Sequence, residues 1–566
     1  MRATSPLQLT TFLLHHSRQT WHTLHTSLSC SSHLIWVFLF SHHIVVSSFL
    51  LFETAFQRAF LFLNLQARHP FQAYCYACKL QVNKTAMLPD EDDPMEKITD
   101  LLAWGNDVEI VELDKSGHPQ QQWLHAHDGH ILPIQLKKTS NGLFSRSLRE
   151  WRKAVMDSFL PVGFPHSVSK DYLAYQMFDS LQAFFSTISS LLANRALLQG
   201  LGVGDASSSA TFALLLTIMK DAMSRIATIV FAHRFGLRIE PDAKRYRFLA
   251  DVFNDSAFFL ELYSPYLGSW GKVIALSTGQ ALRALCGVAA GASKAALSVH
   301  FAKHDNLAEL NAKEASQETA VGLVGLLVGT LVVKMIEDHS SVVILMILLV
   351  IAHLATNYLG VRSVCMATLN RQRATIVFEE YLRSGKVLTP EQVAERENII
   401  FWNPIMRNLH GKKVAQVEFA ESYSHALSCS DPHDKLIIVD GINHTRFICS
   451  RVPGRVTPIK LLLWAGAQPI DAIRAWFAAM EVAWLMGDNG AYTQKLDQMF
   501  CDAGVEGNGR KFSIAGRDRD SDFEPKFNSP GLWAKLAAQG WDVETQSLET
   551  KAPVRLQIRR ARAKNA

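Results

Sequence analysis

The sequence predicts a mainly α protein, with a helical, membrane-associated core followed by a small soluble α+β domain. Three observations lead there. Apolar residues recur at helical spacing through the middle of the chain. Two of these runs, Ala320 to Ile336 and Val342 to Leu359, approach the roughly 20 apolar residues needed to cross a bilayer. After Lys386 the pattern changes to short alternating stretches and one amphipathic helix, as in a soluble domain.

At 566 residues the chain exceeds the usual size of one domain. It is 48% hydrophobic, and its mean hydropathy of +0.06 lies between soluble and polytopic membrane proteins. Residues 1–86 carry Glu53 as their one acid against Arg2, Arg18, Arg58, Arg68, Lys79 and Lys84, so the basic excess lies there and the remainder is neutral. No basic stripe with interleaved aromatics follows, which argues against nucleic acid as a partner. Of the eight cysteines, Cys75 and Cys78 form a C-x-x-C with no second pair at zinc spacing, so free, reduced cysteines are expected.

Residues 1–86 have three readings. The apolar stretch Leu34 to Phe52 has the length of a transmembrane helix, although Ser41, His42 and His43 lie at its centre. Acid poverty with scattered arginine fits an organellar targeting segment. The third reading is an upstream extension, with Met87 as the start. A small soluble module is expected over 87–150, with strands at Val108 to Leu113 and around Ile131 to Leu136 and a turn at Asp114 to Gly117.

The helical core is expected over 151–385. Leu160 to Val168 holds two prolines and a glycine, which force an extended approach. Asp171 is placed to cap the helix that follows, whose apolar face carries Leu173, Met177, Leu181, Phe184, Phe185, Ile188, Leu191 and Leu192 up to a stop at Gly200. Gly200 to Asp205 lacks the third glycine at dinucleotide spacing and follows a helix, so a tight inter-helix turn is expected. A second helix from about Thr211 to Phe235 carries Lys220, Asp221 and Arg225, the last two spaced for pairing.

Asp242 to Asp255 is a dense charged segment in which Arg247, Asp251 and Asp255 fall at four-residue steps beside Asn254. A solvated face held by ion pairs is the expectation, and an anion or phosphate-group pocket of Lys244, Arg245 and Arg247 the alternative. Two G-x-x-x-G pairs, Gly287 with Gly291 and Gly325 with Gly329, predict close helix packing. Between them lies a polar stretch with His300, His304, Asp305, Asn306, Glu309, Lys313, Glu314, Gln317 and Glu318. His300 and His304 share a face compatible with metal, but no second histidine pair exists, so a polar connector or partner surface is the expectation.

The apolar runs at 320–359, separated by Glu337 to Ser341, predict an antiparallel transmembrane hairpin. Arg362, Arg371 and Arg373 after its second arm place that end on the cytosolic or equivalent side. The domain at 386–566 is expected to have strands at Lys412 to Phe419, Lys435 to Val439 and Arg446 to Ser450. A helix opened by Pro469, a mobile loop over 504–531 and a basic tail suited to anionic headgroups complete it.

Four stretches together resemble the root UV-B sensitive family of eukaryotic membrane-associated proteins: Leu160 to Val168, Asp242 to Asn254, His300 to Thr319, and His353 to Arg373 with Asn357, Tyr358, Leu369, Asn370, Arg371 and Arg373. They fall between Leu160 and Arg373. The resemblance implies a membrane protein with no agreed biochemical activity, whose plant members are linked to UV-B sensitivity, development and vitamin B6 balance. The expected function is non-enzymatic partner binding or regulation, in an organellar membrane or endomembrane. Its partners would be the bilayer and a protein or family homologue, and no cofactor is assigned. A transporter with a solute path lined by Lys220, Asp221 and Arg225 is the alternative. An enzyme acting on a vitamin B6 compound, requiring a Schiff base at Lys244 or Lys313, is the third reading. The candidate functional polar residues are Asp171, Lys220, Asp221, Arg225, Lys244, Arg247, Asp251, Asn254, Asp255, His300, Asn306, Lys313, Gln317, Glu318, Asn370 and Arg371.

Overall fold

The computed structural model describes residues 108–113, 119–125, 130–134, 151, 154–200, 210–303, 305–336, 338–427, 447–451, 456–487 and 530–557. The expectations for 1–86, for the glycine-rich turn at 201–205, for a strand at 435–439, for His304 and for the end of the tail fall outside them. So does most of 504–531, although its last two residues already belong to a helix.

The described chain is mainly α. After a three-stranded sheet of β1 (Val108–Leu113), β2 (Pro119–His125) and β3 (Ile131–Ile134), six long helices follow. They are α1 (Tyr172–Gly200), α2 (Ala210–Ile239), α3 (Ala243–Tyr263), α4 (Ser269–Phe301), α5 (Leu307–Met335) and α6 (His339–Ser363). β2 was not foreseen, because its Pro-Gln-Gln-Gln start has no alternating pattern.

The helices alternate in direction. At one end, here called proximal, the start of α1 meets the end of α4, with the Ser169 amide donating to the Phe301 carbonyl at 3.0 Å and the Lys303 amide to the Ser167 carbonyl at 3.2 Å. The Cys365 amide after α6 donates to Asp171 at 2.7 Å, and Asn370 Nδ2 donates to the Pro241 carbonyl between α2 and α3 at 2.9 Å. At the distal end the Tyr266 ring after α3 lies 4.3 Å from His339, which opens α6. There Arg195 near the end of α1 also donates to the Ile336 carbonyl after α5 at 3.0 Å.

α4 packs between α2 and α3, and α3 in turn meets α1 and α6. The expected hairpin forms from α5 and α6, but both arms lie chiefly against α1 rather than each other. Glycine explains the choice. A Cβ on Gly325 would come within 2.9 Å of Thr187, and one on Gly329 within 2.5 Å of Leu191, so α5 seats its small residues on α1. The first G-x-x-x-G does not act this way, since a Cβ on Gly287 or Gly291 would meet nothing within 4 Å. α1 is apolar on all sides: Tyr172, Ile188 and Leu192 are buried, while Leu173, Met177 and Leu181 of the expected core face point outward.

The second layer begins earlier than the composition suggests. α7 (Arg371–Ser384) is capped by Asn370 and ended by Gly385 in the left-handed conformation at φ 73°. It contributes Val377, Phe378 and Leu382 to the core of the C-terminal sheet rather than to the bundle. After α8 (Pro390–Arg396) come β4 (Ile405–Arg407), β5 (Lys413–Phe419), the short α9 (Tyr423–Leu427), β6 (Phe447–Arg451) and β7 (Thr457–Trp464). α10 (Pro469–Leu485), α11 (Pro530–Ala538) and β8 (Arg555–Leu556) complete the layer. The sheet order is β4-β5-β7-β6 with β8 beside β7, and β5 runs parallel to β7. β7 is the central strand and was missed, because its TPIKLLLW reads as a continuous apolar run once both faces are covered. α10 covers it through Trp476, Phe477 and Met480, with Phe477 4.8 Å from Phe378 of α7.

Candidate functional site

The helix interiors are not uniformly apolar. On α3 the stripe Arg247, Asp251, Asp255 points between α1 and α6 instead of into solvent, correcting the expected solvated face. Its partners explain why. Arg247 donates to Asp179 of α1 at 2.6 Å and to the Tyr175 hydroxyl at 3.2 Å. Asp251 accepts from Gln182 of α1 at 2.5 Å and from Asn357 of α6. Asp255 lies 2.9 Å from His353 Nδ1, and both are 1% exposed. Farther along α3, Glu261 holds Arg283 of α4 through contacts of 2.8 and 2.5 Å, and Asn254 accepts from the same guanidinium at 3.5 Å. Charges buried at this depth persist only when paired, and here three helices supply the pairs.

A second cluster closes the proximal end. Lys244 lies 2.6 Å from Glu397 Oε2 and Arg373 lies 3.0 Å from Glu397 Oε1, all three side chains being buried. Burial pushes the Glu397 carboxyl up, but Lys244 and Arg373 outweigh it and hold it below the usual carboxylate range. Asn370 bonds Asp242 at 3.1 Å, and Arg371 lies 3.6 Å from the same carboxylate. The alternative pocket of Lys244, Arg245 and Arg247 is not assembled. Lys244 turns to Glu397 and Arg247 to Asp179, leaving Arg245 exposed.

The polar stretch after α4 fastens the segment leading into α1. Glu309 accepts from the Val162 amide at 2.6 Å, Lys313 and Gln317 donate to the carbonyls of Asp157 and Phe159, and Asn306 donates to the Ser167 carbonyl at 2.9 Å. Asp171 does not cap α1. Its carboxylate instead accepts from Ser169 and the Cys365 amide and meets His300 at 2.9 Å. Burial would raise its pKa, but the hydrogen bond and charge of His300, with Ser169 and the Cys365 amide, hold it at about 2. Glu318 pairs with Lys294 at 2.9 Å near the surface. No group of metal-ligating side chains occurs among the described residues.

Lys220, Asp221 and Arg225 are not brought together. Asp221 and Arg225 are exposed on α2, Lys220 is half-buried, and the spacing-based pair does not form. The sequence reading missed Asp179, Gln182, His353, Glu397, Glu261 and Arg283. The available signal was a polar residue inside an apolar helical run, as with Asp179 in α1 and His353 in α6.

Fold and site together define an α-helical protein with a paired ionic interior. Among the described residues, α4, α5 and α6 are long and apolar enough to cross a membrane. Residues 145–385 match the family model described as "Vitamin B6 photo-protection and homoeostasis domain". The chain is 39% identical over 247 residues to RUS family member 1 of Dictyostelium discoideum, covering 43% of this chain and 47% of that protein. It is 30% identical over 345 residues to Protein root UVB sensitive 3 of Arabidopsis thaliana, covering 59% of this chain and 76% of the relative. To Protein root UVB sensitive 2, chloroplastic, of the same plant, it is 29% identical over 312 residues, covering 55% and 69% respectively. The chain therefore spans about half the length of the Dictyostelium relative. No solved structure matches. The chain belongs to the root UV-B sensitive family.

Proposed function

We propose that this chain is a non-enzymatic integral membrane protein that works by binding a protein partner, a family homologue or a second copy, along the exposed face of α2. One observation carries the reading. α2 packs along α4, a candidate span, so Lys220, Asp221 and Arg225 at its middle would sit at bilayer depth beside exposed Ile218, Met219, Ile226 and Ile229. Unpaired charges facing lipid are costly, whereas a partner helix offering opposite charges and apolar side chains would satisfy this face. In the parallel, two-fold arrangement of two copies, Asp221 of each would meet Arg225 of the other.

The test joins carbonate extraction of the full chain with cysteine cross-linking from position 218 in native membranes. Resistance to extraction and a discrete protein adduct, lost in Asp221→Arg and restored in Asp221→Arg/Arg225→Asp, is expected for self-association. A discrete adduct of another mass, lost in Asp221→Arg, is expected for a different partner. Release by carbonate, or no protein adduct at any position on the face, would overturn the reading.

A second reading, transport of a small solute or proton, is favoured by the interior ladder of Asp179, Arg247, Asp251, Asp255 and His353. It replaces the path through Lys220, Asp221 and Arg225, since Asp221 and Arg225 are exposed and Lys220 is half-buried. The reading as an enzyme on a vitamin B6 compound has less support, because the Lys244 amine is tied to Glu397 and the Lys313 amine to a backbone carbonyl.

A further inference from the structure

Most deeply placed cations here are paired with an acid: Lys244 and Arg373 share Glu397, Arg247 has Asp179, and Arg283 has Glu261. One group at the proximal end departs from this rule. Arg238 in the last turn of α2, Arg245 in the first turn of α3 and Arg371 in the first turn of α7 lie within electrostatic range of one another, and Asp242 is the carboxylate among them. Arg371 lies 3.6 Å from Asp242, and Asn370 also occupies that carboxylate at 3.1 Å. The Nε atoms of Arg238 and Arg371 are buried without any hydrogen-bond partner. Leaving a buried donor of a charged group unmatched is unfavourable, so two such donors in one charged group mark a demand for a further acceptor.

The backbone adds to the same demand. Asp242 precedes α3 but makes no side-chain cap to it, because its carboxylate is turned to Asn370 and Arg371, so the positive end of the α3 dipole is left to another anion. A small recess of about 30 Å³, whose charged lining is Asp242, Lys244, Arg245, Arg371 and Glu397, the Lys244 and Glu397 pair neutralising each other, opens at this point. Burial lowers the affinity of Arg371 for its proton, Asp242 opposes this, and the positive charges of Arg238 and Arg245 add to it. An arriving anion would relieve that repulsion.

We infer that Arg238, Arg245 and Arg371 form a phosphate-binding site, whose ligand presents a dianionic phosphate at the mouth of this recess. Three guanidinium groups against one carboxylate leave two positive charges, which a terminal phosphate neutralises. Its oxygens accept from the guanidinium groups of Arg245 and Arg371, which line the recess, and from the first-turn amides of α3, while Arg238 adds its charge from behind. Because the site lies at the proximal end of the bundle, the phosphate can come from a lipid headgroup or from a soluble phosphate. Both carry the same group.

The test uses the full chain in two forms. In detergent, inorganic phosphate is titrated while thermal unfolding is followed, with chloride at matched ionic strength as the control. In nanodiscs, the melting of protein in phosphatidic acid bilayers is compared with that in phosphatidylcholine. Saturable stabilisation by phosphate alone identifies a soluble ligand, and stabilisation by phosphatidic acid alone identifies a headgroup. Either should weaken at least tenfold in Arg245→Gln, a surface change that spares the fold, and in Arg371→Gln. Arg383→Gln, on the exposed side of α7, should leave it unchanged. No saturable effect in either form, or an effect equal in Arg245→Gln and the parent, would overturn the assignment.

Discussion

Lys244 and Glu397 stand 153 positions apart, yet their charged atoms meet at 2.6 Å with side chains 3% and 5% exposed. The contact fastens the first turn of α3 to the loop after α8, and Arg373 completes it from α7 at 3.0 Å. The two layers of the protein are thus joined by one carboxylate serving two cations.

That stoichiometry makes the three positions unequal. Glu397→Gln leaves two buried cations without a counter-charge and should lower stability by about 3–5 kcal/mol. Lys244→Met leaves Arg373 and Glu397 matched one to one, so its loss should be smaller. Thermal unfolding of the purified variants checks the order, and equal losses would contradict it.

The two glycine pairs should respond in opposite ways. Gly325→Ala drives a methyl group onto Thr187 Cβ at 2.9 Å and near the Phe184 carbonyl at 3.4 Å, and should destabilise by about 1–3 kcal/mol. Gly329→Ala should be milder, since the obstructing atom is the end of the Leu191 side chain. Gly287→Ala and Gly291→Ala meet open space and should stabilise by up to about 1 kcal/mol through helix propensity. Melting temperatures of the four variants provide the measurement.

Asp171 predicts an acid-side transition. Its carboxyl is held at about 2 rather than 3.8, so folding is favoured by its ionised form. The resulting stability, about 2 kcal/mol, is fully present above pH 4 to 5 and is lost as pH falls through 2. Asp171→Asn should remove that part of the slope while leaving the rest of the acid limb. Unfolding followed from pH 6 to pH 2 would show it, and an unchanged slope would refute the linkage.

The Arg247 and Asp179 pair should be strongly non-additive. Arg247→Met alone leaves Asp179 buried and unmatched, and Asp179→Leu alone leaves Arg247 so, each at about 3–5 kcal/mol. The double variant should lose less than the sum, with a coupling of at least about 1 kcal/mol. A double-mutant cycle on thermal unfolding measures that coupling.

Helix-forming stretches were legible because apolar periodicity survives in one dimension. Ala320 to Ile336 falls in α5 and its C-cap, Val342 to Leu359 lies within α6, and Pro469 opens α10 as expected. Which helix lies against which was not legible. Gly287 with Gly291 and Gly325 with Gly329 are indistinguishable as spacings, and only the approach of α1 separates them. Candidate polar residues were found where they clustered, as at 242–255 and 300–318, and missed where they stood alone, as Asp179 and His353 do. The Arg247, Asp251 and Asp255 stripe was assigned to solvent because its counterparts on α1 and α6 are 68 to 106 positions away. Long-range partners decide whether a charge is buried, and spacing within one helix carries no record of them.

The alternation of the six helices has a parity consequence. An even number of antiparallel passes returns the chain to the side on which it began, so residue 170 and residue 370 share a face while 266 and 338 belong to the other. Labels at 170 and 370 will therefore report the same end of the bundle, and labels at 266 and 338 the other. Insertion of one additional long helix anywhere between 172 and 363 would invert that agreement. An insertion after Lys244 would part it from Glu397, so the pairing at the proximal end acts as a lock on the number of helices between them.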